Sequence, residues 1–133
     1  MAYLKSFSIH TQTEGAYNIT REISSAVTES GIEDGIVLIY CPHTTAGIII
    51  NENTDINVTT DMLFGLKEAL PDRDEYRHSE GNSHAHIKSS VVGNQIFLFV
   101  DGGWPLFGPW QGVFFVEFDG PRERHYHVKV IEC

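Results

Sequence analysis

The sequence predicts an α+β fold, with residues 1–133 forming a single compact domain of mixed β-sheet, six to eight strands, and two main helices. Three observations carry this prediction. Two segments repeat apolar residues at helical spacing. A larger number of short β-branched runs are bounded by turn residues. The two kinds of segment do not alternate as βαβ units. The chain has 133 residues, the size of one domain with a real core. Its 41% hydrophobic and 20% charged residues are ordinary for a globular protein.

The elements follow in order. Lys5 to His10 reads as a half-exposed strand with Phe7 and Ile9 on one face. The polar stretch 11–16 contains Gly15 and makes a turn. Asn18 or Thr20 can cap a helix in which Ile19, Ile23 and Val27 recur every four residues, and Gly31 ends it. Ile36-Val37-Leu38-Ile39-Tyr40 is a short β-branched run, hence a buried strand. Cys41 to Thr45 interrupts it, and Gly47 to Ile50 is a second run that stops at Asn51-Glu52-Asn53. Asp55 can cap the next helix, which buries Val58, Met62 and Leu66 and stops at Pro71. Residues 71–86 form a long polar loop with three histidines, a length that usually marks function. Gln95 to Val100, Gly112 to Phe118 and His125 to Ile131 are three further strands. Gly93-Asn94 and Asp119-Gly120-Pro121-Arg122 supply turns.

The net charge of -9 repels nucleic acid and anionic membranes at long range, so neither is an expected partner. The two cysteines, Cys41 and Cys133, are too few for a disulfide framework. Met1 to Lys5 has no apolar signal region, and no stretch approaches the length of a membrane span. These features point to a cytoplasmic protein.

The chemistry concentrates between Cys41 and Ser90. His43 follows a buried strand, and His78, His84 and His86 lie in the polar loop. Imidazole is a common metal ligand, and three ligands with one open position describe a catalytic metal site. In an extended chain His84 and His86 share a face. No compact signature such as His-Glu-x-x-His reinforces the set. His10, His125 and His127 read as surface residues. Glu52, at the end of an apolar strand, is a candidate general acid or base. Asn51 and Asp55 flank it as substrate contacts, although Asp55 also suits a helix cap. Asp61 does not share a helix face with Asp55 and is assigned to orienting a histidine. Lys88 and the hydroxyls of Ser89 and Ser90 are candidate phosphate contacts, Lys88 and Ser90 foremost, with a solvated strand edge as the equal alternative. Trp110 and Gln111 can present an aromatic wall and an amide. No P-loop, dinucleotide or serine-hydrolase motif is present.

Several segments occur together in one order: His43-Thr44-Thr45-Ala46, Asn51-Glu52-Asn53-x-Asp55, Asp61, Tyr76-x-His78, Glu80-Gly81-Asn82, Ala85-His86-x-Lys88-x-Ser90, Gly108-x-Trp110-Gln111 and Glu117 to Arg122. As a set they resemble the YjbQ-like family, also described as secondary thiamine-phosphate synthase enzymes, over essentially the whole chain. The resemblance implies a homotrimer with sites near subunit boundaries. It also implies an activity that joins an aminopyrimidine diphosphate to a thiazole phosphate with release of pyrophosphate. It selects His43, His78 and His86 as ligands of a divalent metal, zinc or magnesium, and leaves His84 outside. Two departures from the family pattern are Thr45 in place of Ser, and Pro109, which removes a hydroxyl and a backbone donor. The expected partner is a small phosphorylated heterocycle. A metal-dependent hydrolase and a non-catalytic anion- or metal-binding trimer are the alternatives.

Overall fold

Residues 1–133 are described by a computed structural model. In chain order the elements are β1 (Ala2–His10), β2 (Gly15–Asn18), α1 (Thr20–Ser30), β3 (Asp34–Tyr40), β4 (Ala46–Glu52), α2 (Ile56–Ala69), α3 (Ser83–Val92), β5 (Gln95–Asp101), β6 (Trp104–Pro105), β7 (Gln111–Glu117) and β8 (Glu123–Glu132). They build two sheets, β1-β8-β3-β5-β6 and β2-β7-β4. The α+β class is as expected, but every ladder is antiparallel, so the sheets are not mixed.

Period-two alternation sets the layers. β8 buries Arg124, Tyr126, Val128 and Val130 and turns His125 and Lys129 outward. Val37, Ile39, Leu98 and Val100 bury from the neighbouring strands of the same sheet. They meet Ile48, Val113 and Phe115 of the three-stranded sheet and Ile23, Ala26 and Val27 of α1 in one apolar cluster. β7 is buried on both faces, so its run reads as continuous rather than alternating. Its second face, Phe114 and Val116, continues with Phe118 into a smaller cluster under Met62, Leu63 and Leu66 of α2 and Ala85 of α3.

The first two helices follow their periodic signals, although α1 is capped at Ile19 without a side-chain hydrogen bond rather than at Asn18 or Thr20. Gly31 closes α1 at φ 70, a left-handed conformation that suits glycine. The Asp55 side chain accepts from Asn57 N at 2.9 Å and caps α2. The third helix is the departure from expectation. The polar loop ends at Asn82, and His84, His86, Lys88 and Ser90 are helical rather than extended. α3 gave no helical signal because its buried face is Ala85, Lys88 and Ser89, with correct spacing but little hydrophobicity. On a helix His84 and His86 stand about 200° apart, so their spacing no longer places them together. No helix is long and apolar enough to cross a membrane.

Candidate functional site

His43, His78 and His86 line one cleft of about 370 Å³, although they come from three different places in the chain. His43 follows β3, His78 lies in the loop after α2, and His86 is on the first turns of α3. The His78 and His86 rings meet edge to face, with centroids 5.2 Å apart. Thr44, Thr45, Asn82, Arg122 and Arg124 complete the donor-rich wall, and Glu80 is its one acid. Glu80 stands 3.9 Å from His78 Nε2. The amino end of α3 also opens here, since Asn82 begins that helix, and its unpaired N–H groups favour negative charge. A contiguous hollow lies between His43, His86, Ser89, Ser90 and Asn94.

A buried ion pair forms the floor. Glu117 is fully buried and Arg124 is 5% exposed. Arg124 Nε donates to Glu117 Oε1 at 2.7 Å, and its Nη2 donates to Glu117 Oε2 and to Thr45 Oγ1. Thr11 Oγ1 and Asp119 N donate to the same carboxylate at 2.7 and 2.9 Å. Burial by itself raises the Glu117 carboxyl. The donors from Arg124, Thr11 and Asp119 outweigh it and hold the group below its ordinary value. Arg122 donates through Nε and Nη2 to the Asp119 backbone and side chain at 2.8 and 2.9 Å.

His43 is placed by the strand beside it. The backbone N–H of His125 donates to His43 Nε2 at 2.9 Å. The neutral ring therefore carries its proton on Nδ1. Burial, then the Arg124 charge, push its pKa below the ordinary value, which keeps the ring neutral. This geometry bears on the three-histidine metal set. A ligating ring needs a free nitrogen lone pair, and the Nε2 lone pair of His43 is spent on His125. No group of three or more His, Cys, Asp or Glu side chains is arranged to hold an ion. The residues as placed do not fit a three-coordinate metal centre.

The other sequence candidates separate. β4 carries the chain from the histidine cleft to Glu52 over seven residues. At about 3.3 Å per residue this is roughly 20 Å. Asn51 and Glu52 pair with Gly112 and Gln111, so Trp110 and Gln111 sit at that far end as well. Gln111 Oε1 accepts from Gly108 N at 2.8 Å, and Trp110 is 65% exposed. Within one chain, Glu52 does not reach a molecule held by the histidines. Asp61 is exposed on α2 and makes no hydrogen bond to a histidine of its own chain. Lys88 is buried, and its Nζ donates to Glu14 at 3.3 and 3.4 Å, so it is a structural cation rather than an anion contact. Ser90 lines the hollow next to His86 while its hydroxyl donates to His86 O at 2.9 Å. Sequence reasoning missed Arg122, Arg124 and Asn82 as site residues. The first two lie in or just after the Glu117 to Arg122 motif, which was the available signal. Cys41 is fully buried, and burial raises its thiol, which disfavours a thiolate nucleophile.

Comparison with known proteins gives a consistent picture. Residues 5–133 match the family described as UPF0047 protein YjbQ-like. The chain is 52% identical to a UPF0047 protein of Methanocaldococcus jannaschii, over 89% of this chain and 86% of that protein. It is 48% identical to the UPF0047 protein YugU of Bacillus subtilis, over 96% and 98% of the two chains. The crystal structure of a YjbQ/UPF0047 protein from Clostridium acetobutylicum superposes with a TM-score of 0.93 at 46% identity, covering 96% of this chain and 99% of that one. A Sulfolobus solfataricus structure, described as a YbjQ-like protein of unknown function, has a TM-score of 0.96 at 32% identity, covering 100% and 99%. These relatives are named by family alone, and none supports a thiamine-phosphate synthase activity. The expected transferase reaction is corrected accordingly. The geometry gives the physical counterpart: the stacking, amide and acid–base residues it requires stand at the opposite end of β4 from the histidines.

Proposed function

The chain belongs to the UPF0047 YjbQ-like family, and on that premise we propose that its histidine cleft binds the oxyanion group of a small molecule and exchanges a proton with it. The supporting observation is the lining: three imidazoles, two threonines and two guanidiniums, each guanidinium paired with a carboxylate outside the lining, share the wall with one acid, Glu80, in a chain of net charge -9. His43, neutral and protonated on Nδ1, donates a hydrogen bond. The edge-to-face pair His78 and His86 offers nitrogens for proton transfer. Arg122 supplies the charge at the rim. Titration with inorganic phosphate and pyrophosphate, followed by calorimetry and by ³¹P line broadening, tests this reading. His86→Ala and Arg122→Ala are each expected to weaken binding by about tenfold or more. No saturable binding, or binding unchanged in both variants, refutes it.

A second observation favours self-association. The outward face of the five-stranded sheet carries Tyr40, Phe97 and Phe99 at 45%, 55% and 59% exposure, beside Ile36 and Leu38. A contiguous apolar face of this kind is a protein contact surface, and the homotrimer implied by the family resemblance would cover it. His125, whose ring stacks 6.4 Å from His43, lies on the same outward face. The assembly would then close over the cleft's edge. Light scattering is expected to give a trimer for the wild type and a monomer for Phe97→Lys. A monomeric wild type at micromolar concentration sinks the proposal.

A further inference from the structure

We propose that a second cavity, which shares no lining residue with the histidine cleft, is a binding site for a small organic cation such as an amidine or aryl-alkyl amine. The cavity measures about 660 Å³, the size range of small-ligand pockets. It opens between β1, β2, the start of α1 and the start of α2. Phe7, Tyr17, Phe114 and Tyr126 supply aromatic walls, and Glu22, Glu52 and Asp55 are its ionisable acids. No lysine, arginine or histidine lines it. The two cavities are therefore opposite in character: the histidine cleft presents donors, and this one presents carboxylates and ring faces.

The acids are not spent on the fold. None of the three forms an ion pair. Asp55 uses one oxygen to cap α2, and Glu52 Oε2 accepts from Thr54 Oγ1 at 3.2 Å. Glu22 Oε2 is buried and has no hydrogen-bond partner at all. A buried acceptor without a donor is costly, and native structures rarely leave one without reason. A ligand N–H supplies the missing donor, and a delocalised cation gains further from the aromatic faces. Tyr126 reports on the same interior: burial, then the Glu22 charge, hold its hydroxyl protonated.

The test uses the full chain and three probes of equal shape: benzamidine, benzamide and benzoate. Calorimetry together with ¹H–¹⁵N chemical-shift mapping reads affinity and location. Benzamidine is expected to bind about tenfold or more tighter than benzamide, with shifts centred on Ile19, Phe114 and Tyr126, and benzoate not to bind. Glu22→Gln is expected to reduce the benzamidine preference to within about threefold. It breaks no hydrogen bond present in the fold, so its thermal midpoint serves as a folding control. Should it nevertheless unfold, Glu52→Gln carries the same expectation. Equal affinity for benzamidine and benzamide, shifts located elsewhere, or no binding overturns the proposal.

Discussion

Replacing Glu117 with Gln removes the charge that holds the buried Arg124 guanidinium under the histidine cleft. The carboxylate is fully buried and accepts from Arg124, Thr11 and Asp119, while Arg124 has only Thr45 as its other acceptor. Removing one partner of such a pair leaves an uncompensated charge and costs about 3–5 kcal/mol. With an unfolding entropy of about 2.1 cal/mol/K per residue, that is a fall in Tm of roughly 11–18 °C for a chain of this length. Differential scanning calorimetry at fixed protein concentration and pH 7 measures it. The double variant Glu117→Leu, Arg124→Met is expected to recover most of the loss, because paired apolar side chains replace a buried ion pair at little cost. The pH dependence has a definite sign. A carboxyl held below its ordinary value contributes stability that is present above the unfolded value of 4.5 and is lost as pH falls through the lower folded value. Wild-type Tm should therefore drop below about pH 4.5, and more steeply than that of Glu117→Gln. A Glu117→Gln protein within about 1 kcal/mol of wild type refutes the reasoning.

The remaining predictions concern the site and its supports. The His43 ring should titrate below 6.5 by NMR, and Arg124→Met should raise its midpoint by removing one of the charges that oppose protonation. Its stability contribution is complete above pH 6.5 and is lost as pH falls toward the folded value. A Cβ on Gly47 would stand 2.5 Å from Gly93 O and 2.6 Å from Val92 Cγ2. Gly47→Ala should therefore cost about 1–3 kcal/mol and weaken phosphate binding as the end of α3 shifts; denaturant midpoints and calorimetry read both. Lys88→Met should leave phosphate affinity within about twofold of wild type, since Lys88 faces Glu14 and not the cleft. A loss as large as that of His86→Ala would return Lys88 to the site.

Six of the eight strands, α1 and α2 were legible because each rests on local periodicity or local capping, whereas β2 begins inside a segment that reads as a turn and the two-residue β6 carries no periodic signal. Ile19, Ile23 and Val27 mark a helix face, Asp55 is a cap, and β8 alternates as its residues require. α3 was not legible, because a helix that buries Ala85, Lys88 and Ser89 has no apolar stripe to detect. The sequence by itself determined the fold class and the pool of chemically capable residues. Only the tertiary structure decided which of them meet. It brought His43, His78 and His86 together with Arg122 and Arg124, and it set Glu52, Trp110 and Gln111 at the far end of β4. It also enclosed Lys88 against Glu14. The reason is physical: periodicity reports a residue's relation to neighbours within a few positions, whereas a site is built by strand register and helix packing between segments far apart in the chain.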